Sequence, residues 1–393
     1  MNILFLTFYF EPDLCAGSFR NTALVKTLAT ELTDEDRIDV ITTYPNRYKT
    51  YKKGAQNFEE NGKVRIYRVN VPEHKSGFAD QINTFKSFFF GTKNIIRNKK
   101  YDLVFASSAR LFTAYLGYTI ARKKEIPLYL DIRDIFADAM GDILKHSFIK
   151  TVALPIIKYI EKKTFDYAAH INLVSGGFRP YFSNFKCNTY SEFSNGIDDE
   201  FLDIPLSESK GIDKKTSILY AGNIGEGQGL EKIIPRAASL LGNDYHFIVV
   251  GDGGTKDKLL QEISERKLSN VELRNPVDRV ELKRLYYESD YLFLHLNYYK
   301  AFEKVLPSKI FEFAAYDKPI IAGVSGFSYH FIKENISNVI LFKPCDVDDL
   351  MEQLKTYTYR TESRRDFINR FRREIINKNM AQSILKYRKG IRG

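Results

Sequence analysis

The segment with the clearest chemical potential covers residues 306–315 and reads LPSKIFEFAA. Pro307 and Ser308 predict a helix start there, with Ser308 as the N-cap. The free N–H groups of a first helical turn bind phosphate, and Lys309 adds positive charge. Glu312 lies on the same face as Ser308, one turn deeper, where a carboxylate can accept hydrogen bonds from ribose hydroxyls. A capped amphipathic helix with a solvated Glu312 fits the same spacing, so both interpretations remain open.

A second segment, residues 220–230, reads YAGNIGEGQGL and joins a predicted strand to a predicted helix. Its four glycines let the backbone approach a ligand closely. The spacing is neither the GxGxxG dinucleotide fingerprint nor a P-loop. Taken alone, the loop indicates close approach without naming a ligand.

Two series of short β-rich runs, separated by helical patterns, must position these segments. The runs are residues 3–8, 38–43, 65–70, 102–107, 128–133 and 170–174, then 217–222, 245–251, 271–275, 290–296, 319–323 and 338–342. Several are continuously apolar, as in parallel strands covered on both faces. The alternation predicts βαβ units, hence an α/β fold with two Rossmann-like domains. Such sheets bind ligands at the carboxyl ends of their strands.

We place the first domain at residues 1–203 and the second at 204–375. A polar connection lies near residues 203–216, and residues 376–393 should form a helix that packs toward the first domain. The length of 393 residues, with 44% apolar and 27% charged residues, fits about two folded domains.

Other features of the composition restrict the functional classes. The three cysteines are far apart, which favours reduced thiols in a cytoplasmic protein. We find no secretory signal and no apolar run near the roughly 18 residues of a spanning helix. No cluster of His, Cys and carboxylates has metal-site spacing, so we expect no metal and no cofactor. The net charge of +10 suits nucleic acid, an anionic membrane or an anionic small molecule.

Together these motifs resemble the family 4 glycosyltransferases, over essentially the whole length. The resemblance rests on AGSFR at residues 16–20, DIRD at 131–134, SNGID at 194–198, the glycine-rich loop and the helix start at 307–312. It is nearest to the branch that builds O-antigen and capsule polysaccharide, including L-fucosamine transferase-like enzymes. It implies a metal-independent, retaining enzyme of the GT-B fold, in which two Rossmann-like domains face each other across a cleft. It also implies that the first domain binds the acceptor and the second binds the nucleotide-sugar.

The resemblance also implies which residues bind the UDP-sugar donor. They are Gly17, Gly222, Asn223, Gly225, Gln228, Pro307, Ser308, Lys309 and Glu312. This chain departs from the family at several of these places. Lys304 stands where the family often has the first of two glutamates separated by seven residues. The common Arg and Lys of the glycine-rich loop are Asn223 and Gln228, and the usual Gly-Gly of the first loop is Ala16-Gly17. Lys309 and Arg20 are the nearest cations that can replace the missing charge.

Retaining transfer without a covalent intermediate needs electrostatic stabilisation of the leaving phosphate and a well-placed acceptor. We assign the first role to Arg20, and Asp134 can orient or deprotonate the acceptor hydroxyl. Asp134 fits equally as the N-cap of a helix at 135–140, and Arg133 can pair with Asp131 or with phosphate. We interpret His295 as a core residue. The Asn195-Gly196 pair predicts a structural turn.

The stretch from Lys75 to Lys100 combines aromatic and basic residues. It holds Phe78, Phe85, Phe88, Phe89 and Phe90 with Lys75, Lys86, Lys93, Arg97, Lys99 and Lys100. Such a helix suits an anionic membrane surface, although the same phenylalanines could belong to the core of the domain. Residues 145–163 are a second candidate. We expect peripheral binding at the inner face of the cytoplasmic membrane, where an undecaprenyl-diphosphate-linked saccharide acceptor would lie.

The function that we predict is transfer of a hexose or N-acetylhexosamine-type sugar from a UDP-sugar to that lipid-linked saccharide, in cell-surface polysaccharide biosynthesis. A nucleotide-sugar 2-epimerase of the same architecture is the first alternative, and it would need an acid/base set. A basic nucleic-acid-binding module is the second. We expect no nucleic acid, because the basic aromatic cluster falls in a helical pattern and not on a sheet face.

Overall fold

The computed structural model describes residues 1–46, 54–72, 78–108, 111–135, 137, 148–187, 189–202, 204 and 215–388. Side chains are described within these ranges except at 78–82 and 148–153. Most of the predicted connection at 203–216, most of the predicted helix at 135–140, and Lys75 lie outside the described residues. The chain divides into two compact units, Met1–Asn195 with Glu374–Gly393, and Gly196–Arg373.

The first unit is built on an eight-stranded sheet. Its strands are β1 (Asn2–Leu6), β2 (Arg37–Thr43), β3 (Phe58–Asn61), β4 (Val64–Val69), β5 (Leu103–Ser108), β6 (Leu128–Ile132), β7 (His170–Leu173) and β8 (Tyr190–Ser191). Their order is β3-β4-β2-β1-β5-β6-β7-β8, and only β3 is antiparallel to its neighbour. The central strands are buried throughout because helices cover both faces, which is why their sequences are continuously apolar.

The helices of this unit are α1 (Ala16–Glu31), α2 (Phe78–Ile95), α3 (Leu111–Lys124), α4 (Phe148–Tyr167), α5 (Arg179–Phe182) and α13 (Arg373–Leu385). The crossovers that contain α2, α3 and α4 all advance in one direction along the sheet. Right-handed crossovers therefore place these three helices on one face and α1 on the other. On the α1 side, Met380 and Ile384 of the last helix pack in one core with Ile3 and Phe5 of β1.

The second unit contains a six-stranded, fully parallel sheet. Its strands are β9 (Thr216–Asn223), β10 (Tyr245–Asp252), β11 (Val271–Arg274), β12 (Tyr291–His295), β13 (Ile320–Gly323) and β14 (Val339–Phe342), in the order β11-β10-β9-β12-β13-β14. Its helices are α6 (Leu230–Leu241), α7 (Lys256–Glu265), α8 (Arg279–Glu288), α9 (Lys309–Ala314), α10 (Gly326–Asn335), α11 (Val347–Thr356) and α12 (Arg365–Arg370). The prediction of two Rossmann-like α/β domains is confirmed.

The two places where the chain passes between the units lie side by side. Ile197 N–H donates to Phe371 O at 2.8 Å, and Arg373 N–H donates to Ile197 O at 2.9 Å. A Cβ on Gly196 would lie 2.8 Å from Arg373 Cα, so this close approach requires glycine. Residues 196–203, which we assigned to the first domain, group here with the second unit.

Candidate functional site

The glycine-rich loop follows β9 at the carboxyl edge of the second sheet. Across it, Asn223 Nδ2 donates to Gln228 Oε1 at 2.8 Å. A Cβ on Gly225 would lie 2.4 Å from Asn223 Nδ2, so glycine is needed for this amide pair to close. Gly229 adopts φ +57, a left-handed conformation that favours glycine. The two positions that the family occupies with cations are therefore an uncharged pair bonded to each other.

His295, the last residue of β12, is hydrogen-bonded to the backbone of this loop. Its Nδ1–H donates to Gln228 O at 2.6 Å, and its Nε2 accepts from Cys345 N–H at 2.8 Å. These two bonds define the neutral tautomer, because one nitrogen must donate and the other accept. Burial lowers the pKa of His295 to about 4, although the bond to Gln228 acts in the opposite direction. His295 is thus a neutral core residue.

A cation that the sequence motifs do not reveal lies beside the same loop. Lys232, in the first turn of α6, places Nζ 3.2 Å from Asn297 Oδ1. The same Nζ stands 4.7 Å from the ring centre of Tyr298 and 5.3 Å from that of Tyr299. Tyr298 and Tyr299 lie three and four residues after the end of β12, and the fold brings them to Lys232. Lys232 is therefore a positive charge near a loop that lacks its own.

The helix predicted after Ser308 is present but short, since α9 has six residues. Ser308 occupies the predicted N-cap position before Lys309, but its backbone is helical and its side chain makes no capping hydrogen bond. Pro307 precedes it with its side chain half-buried. The Ser308 side chain adds no capping acceptor at this helix start, so the chemistry of the segment rests on its charged side chains.

Glu312 is buried at 7% exposure, which rules out the solvated-glutamate interpretation. Its Oε2 accepts from Tyr286 OH at 3.0 Å and from Lys309 Nζ at 3.0 Å. Lys309 Nζ also donates to Tyr286 OH at 3.0 Å, which closes a three-membered cluster. Burial and the Glu312 charge raise the pKa of Tyr286 well above its usual range, so it is a neutral donor. Lys309, predicted to meet phosphate, is paired with Glu312 in this structure.

In the first unit, Arg20 is not available to neutralise a phosphate, which corrects our assignment. It is 1% exposed, and its Nε and Nη2 donate to the two carboxylate oxygens of Asp131 at 3.0 and 2.9 Å. Nη1 donates to Ser194 O at 2.6 Å and Nη2 to Phe193 O at 2.8 Å. Burial opposes the Asp131 charge, yet Arg20 lowers the pKa of Asp131 overall. Arg20 is therefore a structural residue. It links Asp131 of β6 to the backbone at Phe193 and Ser194, just before the chain enters the second unit.

Arg133 takes the position that we had expected of Arg20. Its Nη1 donates to Ala16 O at 3.3 Å and lies 3.5 Å from the place that a Cβ on Gly17 would occupy. The side chain is half-buried, and burial, together with the Arg20 charge, lowers its pKa. A Cβ at Gly17 would therefore be in van der Waals contact with this guanidinium. The first loop and Arg133 thus form one basic corner at the carboxyl edge of the first sheet.

Asp134 is the next residue, and its side chain is exposed. The surrounding protein atoms nevertheless desolvate the carboxylate and raise its pKa to about 6, while Arg133 acts in the opposite direction. A carboxyl group with such a pKa can exchange a proton near neutral pH. The alternative role as a helix N-cap concerns residues 135–140, most of which lie outside the described part of the chain.

The described phenylalanines of helix α2 range from fully buried to exposed. Phe88 is fully buried and packs edge-on against Phe8 at 5.5 Å, and Phe85 stacks on Phe112 of α3 at 4.7 Å. Phe90 is 65% exposed, and Lys93 Nζ lies 4.1 Å over the Phe89 ring. The membrane interpretation is therefore wrong for Phe88, whereas Phe85 is only half-buried. It stays a prediction for the exposed face around Phe90.

The described residues contain neither a candidate metal-ion site nor a candidate membrane-spanning helix. No group of three or more His, Cys, Asp and Glu side chains there is arranged to hold a metal ion. No helix within the same ranges is long and apolar enough to cross a membrane.

Comparison with solved structures defines the class of fold. Sucrose-phosphate synthase from Thermosynechococcus elongatus superposes with a TM-score of 0.74 at 14% identity, covering 98% of each chain. Anabaena HepE in complex with UDP-glucose gives 0.68 at 16% identity, covering 98% of this chain and all of HepE. WaaG, a glycosyltransferase involved in lipopolysaccharide biosynthesis, gives 0.66 at 13% identity, covering 99% of this chain and all of WaaG. The fold is that of the GT-B glycosyltransferases.

Sequence comparison finds two similarities, each over part of the chain. Residues 205–374, nearly all of the second unit, match the family Glycosyl transferases group 1. A stretch of 71 residues is 42% identical to WcaI of Escherichia coli strain K12, described as a colanic acid biosynthesis glycosyl transferase. That stretch spans 18% of this chain and 16% of WcaI. The similarity to this family thus concerns residues 205–374, and the L-fucosamine branch is not confirmed.

Proposed function

We propose that this protein is a retaining glycosyltransferase that binds a UDP-sugar in its second unit and transfers the sugar to an acceptor. The observation that carries the proposal is Glu312, a buried carboxylate held by Tyr286 and Lys309 within the group 1 domain. Burying a carboxylate is costly unless its hydrogen bonds repay the lost hydration. The buried Glu312 carboxylate suits a ligand that donates hydrogen bonds from hydroxyl groups, and ribose has two such hydroxyls.

Each donor-side residue then has a physical role. Glu312 accepts from the ribose, and Lys309 lies at the start of the same helix and meets the diphosphate. The backbone of Gly222 and Gly225 approaches the phosphates, while Lys232 supplies charge that Asn223 and Gln228 lack. Solved HepE complexes contain UDP and UDP-glucose, which supports a UDP-linked donor.

On the acceptor side, Asp134 orients or deprotonates the acceptor hydroxyl. A pKa of about 6 leaves the carboxyl group mostly ionised at neutral pH, so that it can accept the proton of the acceptor hydroxyl. Arg133 beside Gly17 provides the positive charge that we first assigned to Arg20. This charge stabilises the phosphate leaving group electrostatically, so that no metal and no covalent intermediate are required.

The acceptor that we propose is an undecaprenyl-diphosphate-linked saccharide in cell-surface polysaccharide biosynthesis, and the sugar is a hexose or N-acetylhexosamine type, including L-fucosamine-like sugars. The descriptions of WcaI and WaaG, which concern colanic acid and lipopolysaccharide, support this context. We place the protein in the cytoplasm, peripheral on the inner face of the membrane. Within residues 75–100, the exposed side chains of Lys86, Phe90 and Lys93 support that contact.

Ligand-dependent thermal stability across a panel of nucleotides and nucleotide-sugars tests the donor. A ligand at 100 times its Kd stabilises a folded protein by about 2.7 kcal/mol, which raises the melting temperature measurably. UDP and at least one UDP-sugar should stabilise the parent protein and should stabilise Glu312→Gln at most about half as much, because a ligand bound tenfold more weakly is then at about ten times its Kd. Glu352→Gln, on the exposed face of α11, is the matched control and should respond like the parent. A panel without any stabilising UDP compound would contradict the proposal.

A further inference from the structure

A groove lies between α3 and α4 on the outer surface of the first unit, and no step of the proposed reaction uses it. It encloses about 690 Å³. The side chains that line it and matter here are Tyr115, Tyr118, Arg122, Lys123, Tyr159 and Lys163. All of them are described, and they come from two neighbouring helices on one face of the sheet.

The charge of the groove is uniformly positive. Arg122, Lys123 and Lys163 line it, and no carboxylate is among its described lining residues. Arg122 Nη1 donates to Tyr118 OH at 2.8 Å, and Lys163 Nζ stands 5.6 Å from the centre of the Tyr159 ring. Asp166, further along α4, is bonded to Lys162 at 3.0 Å and so neutralises a different lysine. The three cations therefore face a common space that suits an anion.

Large apolar side chains stand exposed at the same place. Tyr159 is 63% exposed and Ile156, three residues earlier on α4, is 56% exposed. Residues three apart share one side of a helix, so both project from the same surface. Helix α4 buries Ile157, Glu161 and Phe165 toward its own unit, which leaves this opposite side without a packing partner among the described residues. A helix that exposes aromatic and aliphatic side chains beside lysines has the composition of an interfacial helix.

We propose that this groove docks on an anionic phospholipid surface. A lipid phosphate sits among Arg122, Lys123 and Lys163, while Ile156 and Tyr159 enter the boundary between headgroups and acyl chains. The contact rests on the peripheral membrane location proposed above and adds to it a surface that is separate from the exposed face of α2 around Phe90. It does not depend on which donor the second unit binds.

Co-sedimentation of the full chain with vesicles tests the proposal. One set of vesicles mixes phosphatidylglycerol with phosphatidylcholine, and the other contains phosphatidylcholine alone. The parent should bind the first set and not the second. Arg122→Gln with Lys163→Gln should weaken binding by about thirtyfold, the effect of two basic residues at an anionic surface. Lys258→Gln with Lys355→Gln removes the same charge from exposed sites of the second unit and should bind like the parent.

The apolar part has its own variant. Ile156→Ser with Tyr159→Ser should remove the binding that persists at high salt, because salt screens the cations and not the inserted side chains. Both double variants should retain the parent's melting temperature and UDP affinity, so a failure of the donor proposal would be recognised separately. Parent-like vesicle binding by Arg122→Gln with Lys163→Gln would overturn the proposal, as would equal weakening by the control pair. Loss of binding only when Lys86, Phe90 and Lys93 are replaced would assign the contact to α2 instead.

Discussion

Lys309 Nζ lies 3.0 Å from Glu312 Oε2, so the cation and the carboxylate predicted to bind different parts of one ligand are bonded to each other. Tyr286 OH donates to the same oxygen at 3.0 Å. The described contacts engage Oε2 and leave Oε1 for a ligand. The cluster is therefore a pre-formed receptor for hydroxyl donors whose orientation depends on two supporting side chains.

Glu312→Gln should weaken UDP binding by about tenfold or more. A hydrogen bond to a charged group contributes about 1.5–3 kcal/mol, and the amide removes that charge while it keeps the side-chain volume. Calorimetric titration of UDP measures the effect, and the melting temperature shows that the variant is folded. An unchanged dissociation constant would remove Glu312 from the site.

Tyr286→Phe tests whether the tyrosine orients Glu312. The ring stays in the core while the donor to Oε2 is lost, which costs about 0.5–1.5 kcal/mol, or about two- to tenfold in affinity. The parent should prefer UDP to 2′-deoxy-UDP, and the variant should lose part of that preference. Tyr316→Phe, another buried tyrosine near the same core, is the control and should keep it. Equal loss for both nucleotides would show a structural role only.

Lys309→Met should weaken UDP more than uridine, because we assign Lys309 to the diphosphate. Its pairing with Glu312 adds a smaller effect on both ligands, since Glu312 then keeps only the Tyr286 donor. The ratio of the two affinities, from parallel titrations, separates these effects. A variant that lost both ligands equally would place Lys309 with the ribose.

Arg20 and Arg133 should respond in opposite ways to removal of charge. Arg20→Met leaves Asp131 buried without its partner and should destabilise the protein by about 3–5 kcal/mol. Arg133→Met should leave the unfolding free energy nearly unchanged and slow sugar transfer. Urea unfolding and a transfer assay measure the two properties. A stable Arg20→Met protein, or an unstable Arg133→Met protein, would reverse the assignments.

Acid should destabilise the protein through His170 and His295. Burial lowers the pKa of each to about 4, against 6.5 for a free histidine. Between these pH values the unfolded chain binds more protons than the folded one. The two histidines therefore contribute their full share of the unfolding free energy above pH 6.5, and that share is lost as pH falls toward 4. The raised pKa of Asp134 changes the unfolding free energy in the opposite direction, but this effect is smaller because the side chain is exposed to solvent. Urea unfolding across this window should show the decrease, and a flat or rising profile would contradict it.

Much of the fold was predictable because its signals are local. The parallel strands are continuous apolar runs. The glycine-rich loop follows β9, and the helix start at residues 307–312 lies between β12 and β13. Lys309 and Glu312 are three apart in one helix, so their pairing was also open to prediction. Tyr286 lies 26 residues from Glu312 and Asp131 lies 111 from Arg20, and no local pattern reports such partners. For the same reason Arg20 resembled a ligand-binding cation, and Phe88 resembled a membrane anchor.

The most direct test of the central proposal is transfer itself. The purified chain is incubated with radiolabelled UDP-sugars and a membrane extract that contains lipid-linked saccharides, and the label is followed into the lipid fraction. We predict acceptor-dependent transfer from at least one UDP-sugar, retention of the anomeric configuration, and loss of transfer in Glu312→Gln but not in Glu352→Gln. Label that stays in the nucleotide pool, or appears there as an epimerised sugar without any acceptor, would contradict the proposal.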